Sequence, residues 1–118
     1  MKENDLLLRL LNFSIRTIKY SRTLPYDVEF KNIRHQISKS CTSPGVNYEE
    51  AQGASSTADF HNKVKISLRE MRETNYWFKV IKGVLYKNEI VEELEYLIKE
   101  SEELKRILGS IASKTRKN

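Results

Sequence analysis

The sequence predicts an all-α fold, an antiparallel up-down-up-down four-helix bundle formed as a single domain over residues 1–118. Three observations carry this. Four segments repeat apolar residues at the 3.6-residue helical period. None of them sustains the apolar/polar alternation of a half-buried strand. The connectors between them are short and marked by Pro25, Gly53 and Gly83, and helices joined that tightly pack antiparallel to their neighbours in the chain.

The first helix is predicted over 4–22, with Leu7, Leu10, Leu11, Ser14 and Ile18 on its core side. Leu6, Phe13 and Tyr20, spaced by seven, form a second apolar line. Pro25 disfavours helical geometry at Leu24, so the helix stops before it. The second helix, over 28–52, places Ile33, Ile37, Cys41, Pro44, Tyr48 and Ala51 at steps of three and four. Ser43-Pro44-Gly45 has the composition of a turn, yet the apolar phase runs through it unbroken. That predicts one helix kinked at Pro44, with Gly53 as its stop.

Ser56-Thr57-Ala58-Asp59 has capping-box spacing, with Asp in place of the usual Glu. It opens a third helix over 56–82 that turns Phe60, Val64, Leu68, Met71, Asn75, Phe78 and Ile81 inward. Gly83 is placed to end it as a left-handed cap. Asn88 is placed to cap a fourth helix over 88–114, carrying Val91, Leu94, Ile98, Ser101, Leu104, Leu108 and Ile111 inward. Glu89 and Glu92 at its start and Lys114, Arg116 and Lys117 at its end complement the helix dipole.

Composition narrows the function classes. Hydrophobic residues are 39% and charged residues 31%, with four glycines and two prolines, which excludes collagen-like, low-complexity and disordered chains. The lone Cys41 rules out an intrachain disulfide and suits the reducing cytoplasm, the expected location. The early leucine run is interrupted by Arg9 and Asn12, too short and polar for a signal peptide. No stretch approaches the roughly 18 apolar residues of a membrane span, so no membrane role is expected. The net charge of +5 is uneven. Residues 87–103 hold Lys87 and Lys99 against seven glutamates, leaving that segment at −5 and the remainder at +10. A basic body with one acidic segment points to a polyanion partner or to charge-complementary packing.

Catalytic constellations are absent from the sequence. There are two histidines, His35 and His61, one cysteine and no Glu-x-x-His pair, so no metal site or cofactor is expected. Cys41 lies on the apolar stripe, the position of a small buried hydrophobe and not of a nucleophile. The chain is not expected to be an enzyme, and no catalytic residue is assigned.

The third helix carries the clearest functional signal. One residue past its core stripe, and so rotated by about 100°, lie Lys65, Arg69, Arg72, Tyr76 and Lys79 with no acid among them. Cations at this spacing contact phosphates, and a tyrosine stacks on a base. The other reading is a solvated face whose cations pair with Glu70, Glu73 or the acidic fourth helix. The first helix repeats the pattern more weakly through Arg9, Arg16 and Lys19. Trp77, aligned with Ile66, Val80 and Val84, forms a second apolar line on the third helix. With Leu6 and Phe13 on the first helix, Trp77 and Val80 are the expected homo-oligomer interface. Alternatively, Trp77 closes the end of its own bundle.

The stretch from Thr42 to Trp77 resembles the four-helix bundle family encoded by intervening sequences in bacterial 23S rRNA genes, also labelled S23 ribosomal protein. The resemblance rests on Thr42-Ser43, Asn47-Tyr48-x-Glu50-Ala51, Asp59-Phe60-x-x-Lys63, Ile66-x-Leu68-x-Glu70 and Arg72-Glu73-Thr74-x-Tyr76-Trp77. It departs at Ser43-Pro44-Gly45-Val46, where relatives tend to have a non-proline residue before the glycine. The resemblance implies an up-down bundle assembled as a homopentamer. A related branch, the accessory protein of diversity-generating retroelements, implies nucleic acid and a reverse transcriptase as partners. Asn47, Glu50 and Glu73, with Arg72, are expected to form a hydrogen-bonded network fixing helix register. The leading expectation is a non-enzymatic RNA- or DNA-binding bundle; the competing one is a pentameric scaffold for a protein partner.

Overall fold

The computed structural model describes residues 3–85 and 92–116. It contains α1 (Glu3–Ser21), α2 (Val28–Ala51), α3 (Thr57–Val84) and α4 (Glu92–Thr115), and no strand among the described residues. The helices pack in chain order as an all-α four-helix bundle 48 Å long. The α2–α3 and α3–α4 pairings are extensive, and α1 lies on α2 with a lighter contact to α4. The predicted cap Asn88 and core residue Val91 lie outside the described residues.

α2 runs unbroken through Pro44. Proline removes one helical hydrogen bond, but tertiary contacts hold the segment on both sides. Ser14 Oγ of α1 donates to the Cys41 carbonyl at 2.9 Å, and Ser67 Oγ of α3 donates to the Pro44 carbonyl at 2.8 Å. Ile33, Ile37, Cys41, Pro44, Tyr48 and Ala51 are all buried, as their spacing predicts. α3 starts at the predicted box: Ser56 Oγ accepts from the Asp59 amide at 3.0 Å, and the Asp59 carboxylate accepts from the Ser55 amide at 3.1 Å. Its far end differs. The helix continues through Gly83 to Val84, no described glycine has positive φ, and extended Leu85 ends the helix while packing against the core. Burial of the Leu85 side chain, not a left-handed glycine, turns the chain out.

The largest correction concerns α1. Its core line is Leu6, Leu10, Phe13, Thr17 and Tyr20, all buried, whereas Leu11 is 55% exposed and Leu7 and Ile18 are only half-buried. Leu6 and Phe13 therefore pack inside their own bundle and are not an interface with another copy. Phe13 meets Phe78 edge-to-face at 6.0 Å, and Tyr20 meets the same ring at 6.5 Å. A large aromatic on α3 draws the aromatic line of α1 inward, since rings bury more apolar area than the leucines opposite. The apolar α1 residues left outside are Leu8, Leu11 and Ile15, and exposed Val46 of α2 joins Leu8 and Leu11 in lining the α1–α2 groove. On α4 the core is Leu94, Leu97, Ser101, Leu104, Leu108 and Ala112, with Ile98 and Ile111 at its margin.

Candidate nucleic-acid interface

α3 supplies the candidate surface because its core stripe is fixed by Val64, Met71, Thr74, Asn75, Phe78 and Ile81, all buried. The stripe rotated out of that core holds Lys65, Arg69, Arg72, Tyr76 and Lys79, and all five are exposed. Among the described residues Lys65 and Arg72 make no ion pair. Arg69, with a side chain 73% exposed, reaches only its neighbour Glu70 at 3.7 Å. Lys79 differs, lying 3.5 Å from Glu102 of α4. Lys65 and Leu68 line two adjoining hollows. Arg69 and Arg72 bound the first, while His61, Gly109 and Arg116 bound the second, on the α3–α4 seam.

Tyr76 is 64% exposed. Its ring sits against Trp77 at 6.3 Å between centroids and 72° between planes. Trp77 is half-buried against the core, and its Nε1 donates to Glu73 Oε2 at 3.1 Å. Val80 is likewise half-buried against the core. Part of each side chain is thus spent closing its own bundle, and part remains outside.

The α1 cations do not join this surface. Arg9 is held by Glu100 at 2.7 Å and Glu103 at 3.0 Å, and Arg16 by Glu93 at 2.6 Å. Arg16 also stacks on Tyr96, its guanidinium carbon 3.6 Å from the ring centroid. Hydrogen bonding to Glu100 and to Glu93 raises the two guanidinium pKa values above their ordinary value. The acidic stretch of α4 lies beside α1 and pairs with Arg9 and Arg16, so these two cations are not gathered onto the α3 surface. Lys19 stays exposed but lies apart on α1. Glu102 takes Lys105 at 2.9 Å as well as Lys79, and the Lys105 hydrogen bond holds its carboxyl below the usual range.

The expected polar network is not formed. Asn47 Nδ2 donates to Ser43 one turn earlier, Glu50 pairs with Lys63 at 2.8 Å, and Glu73 accepts from Trp77. Each side chain lies at the rim of the bundle, where a local partner is nearer than the other members. Register is fixed instead by small buried hydroxyls. Besides Ser14 and Ser67, Thr74 Oγ1 donates to Ser40 Oγ at 2.8 Å and Asn75 Nδ2 donates to Ser101 Oγ at 2.8 Å. The available signal was the recurrence of small polar residues on apolar stripes, Ser67 and Thr74 being seven apart.

Cys41 is buried, and burial pushes its thiol up to about 12. No helix of the described residues is long and apolar enough to cross a membrane.

The model for the 23S rRNA-intervening sequence protein family matches residues 2–110. A crystal structure of a protein with unknown function from the S23 ribosomal protein family, from Bacteroides thetaiotaomicron VPI-5482, superimposes with a TM-score of 0.82. The two chains share 33% identity over 96% of this chain and 99% of that one. No curated protein matches.

Proposed function

The chain belongs to the 23S rRNA-intervening sequence protein family, and from that premise we propose that it is a non-enzymatic, homo-oligomeric bundle protein binding RNA or DNA through the basic face of α3. One observation carries the reading. Lys65, Arg69 and Arg72 stay exposed beside Tyr76, while Arg9, Arg16 and Lys79 are neutralised by α4. A chain that spends its acids on one set of cations leaves the other set for a polyanion. The non-enzymatic part of the reading is supported by Cys41, the single cysteine, whose thiol is buried and pushed up by that burial, an unsuitable setting for a nucleophile.

Assembly rests on a different surface. Leu8, Leu11 and Val46 form an exposed apolar patch along the α1–α2 groove, with Ile15 exposed on the same helix as the leucines, and such patches on small domains mark contacts. The family resemblance noted from the sequence implies five subunits, taken here as a cyclic ring. A ring contact is heterologous, so this patch would meet a different face of the next copy, the line of Trp77, Val80 and Val84. The same patch also favours the other reading, a cytoplasmic scaffold for a protein partner.

Fluorescence anisotropy with labelled RNA at low salt tests the proposal. Three phosphate contacts per protomer should lower affinity about twentyfold between about 50 and 200 mM salt. Replacing Lys65, Arg69 and Arg72 together by Gln should abolish binding while melting temperature and oligomer size stay unchanged. Equal affinity of variant and parent would end the nucleic-acid reading in favour of the scaffold, and a monomer by light scattering would end the ring.

A further inference from the structure

We propose that the α3 surface is built for single-stranded nucleic acid, with Tyr76 as a base-stacking platform and a phosphate track running from Arg72 past Lys65 to Arg116. This rests on the polyanion reading above and narrows it to one ligand form. Duplexes hide their base faces, so an aromatic platform is useful only against an unpaired base.

The platform is braced. Tyr76 is mostly exposed, yet its ring edge is set by Trp77, which is itself held by packing and by its bond to Glu73. A side chain left free in solvent would lose rotamer entropy on stacking, and a braced one loses less. Arg72 lies one helical turn before Tyr76, with Arg69 and Lys65 further back on the same stripe. At 1.5 Å rise per residue the stripe from Lys65 to Tyr76 is about 16 Å long, enough for a few extended nucleotides.

The track then turns. Lys65 lines both hollows, so a backbone leaving Arg69 and Arg72 passes over Lys65 into the seam beside His61 and Arg116. Gly109 borders that seam, and the space beside it is open, since a Cβ there would meet nothing within 4 Å.

The test compares a short labelled oligo(U) with a blunt duplex of equal length at low salt. It uses the parent protein, Tyr76→Ala, Tyr76→Trp and Arg116→Gln, with circular dichroism to verify folding. The expected result is single-strand binding at least tenfold tighter than duplex binding. Tyr76→Ala should weaken oligo(U) binding about tenfold with little effect on duplex, Tyr76→Trp should restore it, and Arg116→Gln should weaken it and flatten the salt dependence. If duplex binds as well as the single strand, or Tyr76→Ala changes nothing while the triple Gln variant loses binding, this inference falls and the polyanion reading stands. If the parent binds neither probe, both fall.

Discussion

Truncating Phe13 to alanine separates the two apolar faces of α1. Phe13 is 2% exposed, and its ring meets Phe78, which is fully buried, edge-to-face at 6.0 Å and 90°. Removing a buried phenyl ring costs about 3–5 kcal/mol, transfer and cavity terms together. About 0.5–1.5 kcal/mol of that belongs to the ring pair itself, which a double-mutant cycle with Phe78→Ala isolates. Urea unfolding followed by far-ultraviolet circular dichroism reads the loss directly. With a slope of about 1–3 kcal/mol per molar urea, the midpoint falls by roughly 1 M or more. The control is Leu11→Ala. Leu11 is 55% exposed, so its truncation should cost the fold under about 1 kcal/mol and act instead on oligomer size. Repeating the titration at several protein concentrations separates the two effects, since only assembly depends on concentration. A Phe13→Ala protein that unfolds within about 1 kcal/mol of the parent but no longer assembles would refute the reasoning and return Phe13 to an interface.

Two further outcomes are expected. Ser67→Ala removes the second hydrogen bond to the Pro44 carbonyl, which its hydroxyl now reaches at 2.8 Å beside the helical bond within α2, so stability should fall by about 0.5–1.5 kcal/mol in the same urea assay; no measurable loss would mean the helical bond alone satisfies that carbonyl. Arg9→Gln removes the contacts to Glu100 and Glu103 and should cost about 1 kcal/mol at low salt, a difference that shrinks as salt is raised; a salt-independent loss would point to packing of the arginine stem.

Much of this protein was determined by the sequence alone. The 3.6-residue period yields four helices, their order and most of the inward residues of α2 and α3, because each has one dominant apolar stripe. The continuity of α2 through Pro44 was legible for the same reason, as was the Ser56–Asp59 cap, whose geometry is local. The exposed cationic stripe of α3 followed from the stripe it flanks. What periodicity lacks is a choice between two apolar stripes on one helix. Leu7-Leu11-Ile18 and Leu6-Phe13-Tyr20 are both acceptable to α1, and only Phe78, which lies 65 residues beyond Phe13 in the chain, selects the second. Charge behaves likewise: the sequence counts acids and bases, but the placement of α4 beside α1 decides that Arg9 and Arg16 are neutralised while Lys65 and Arg72 are not. Register is tertiary too. A hydroxyl such as Ser67 carries no mark of its partner, because the partner is a backbone carbonyl that only the docking of α3 on α2 brings within reach.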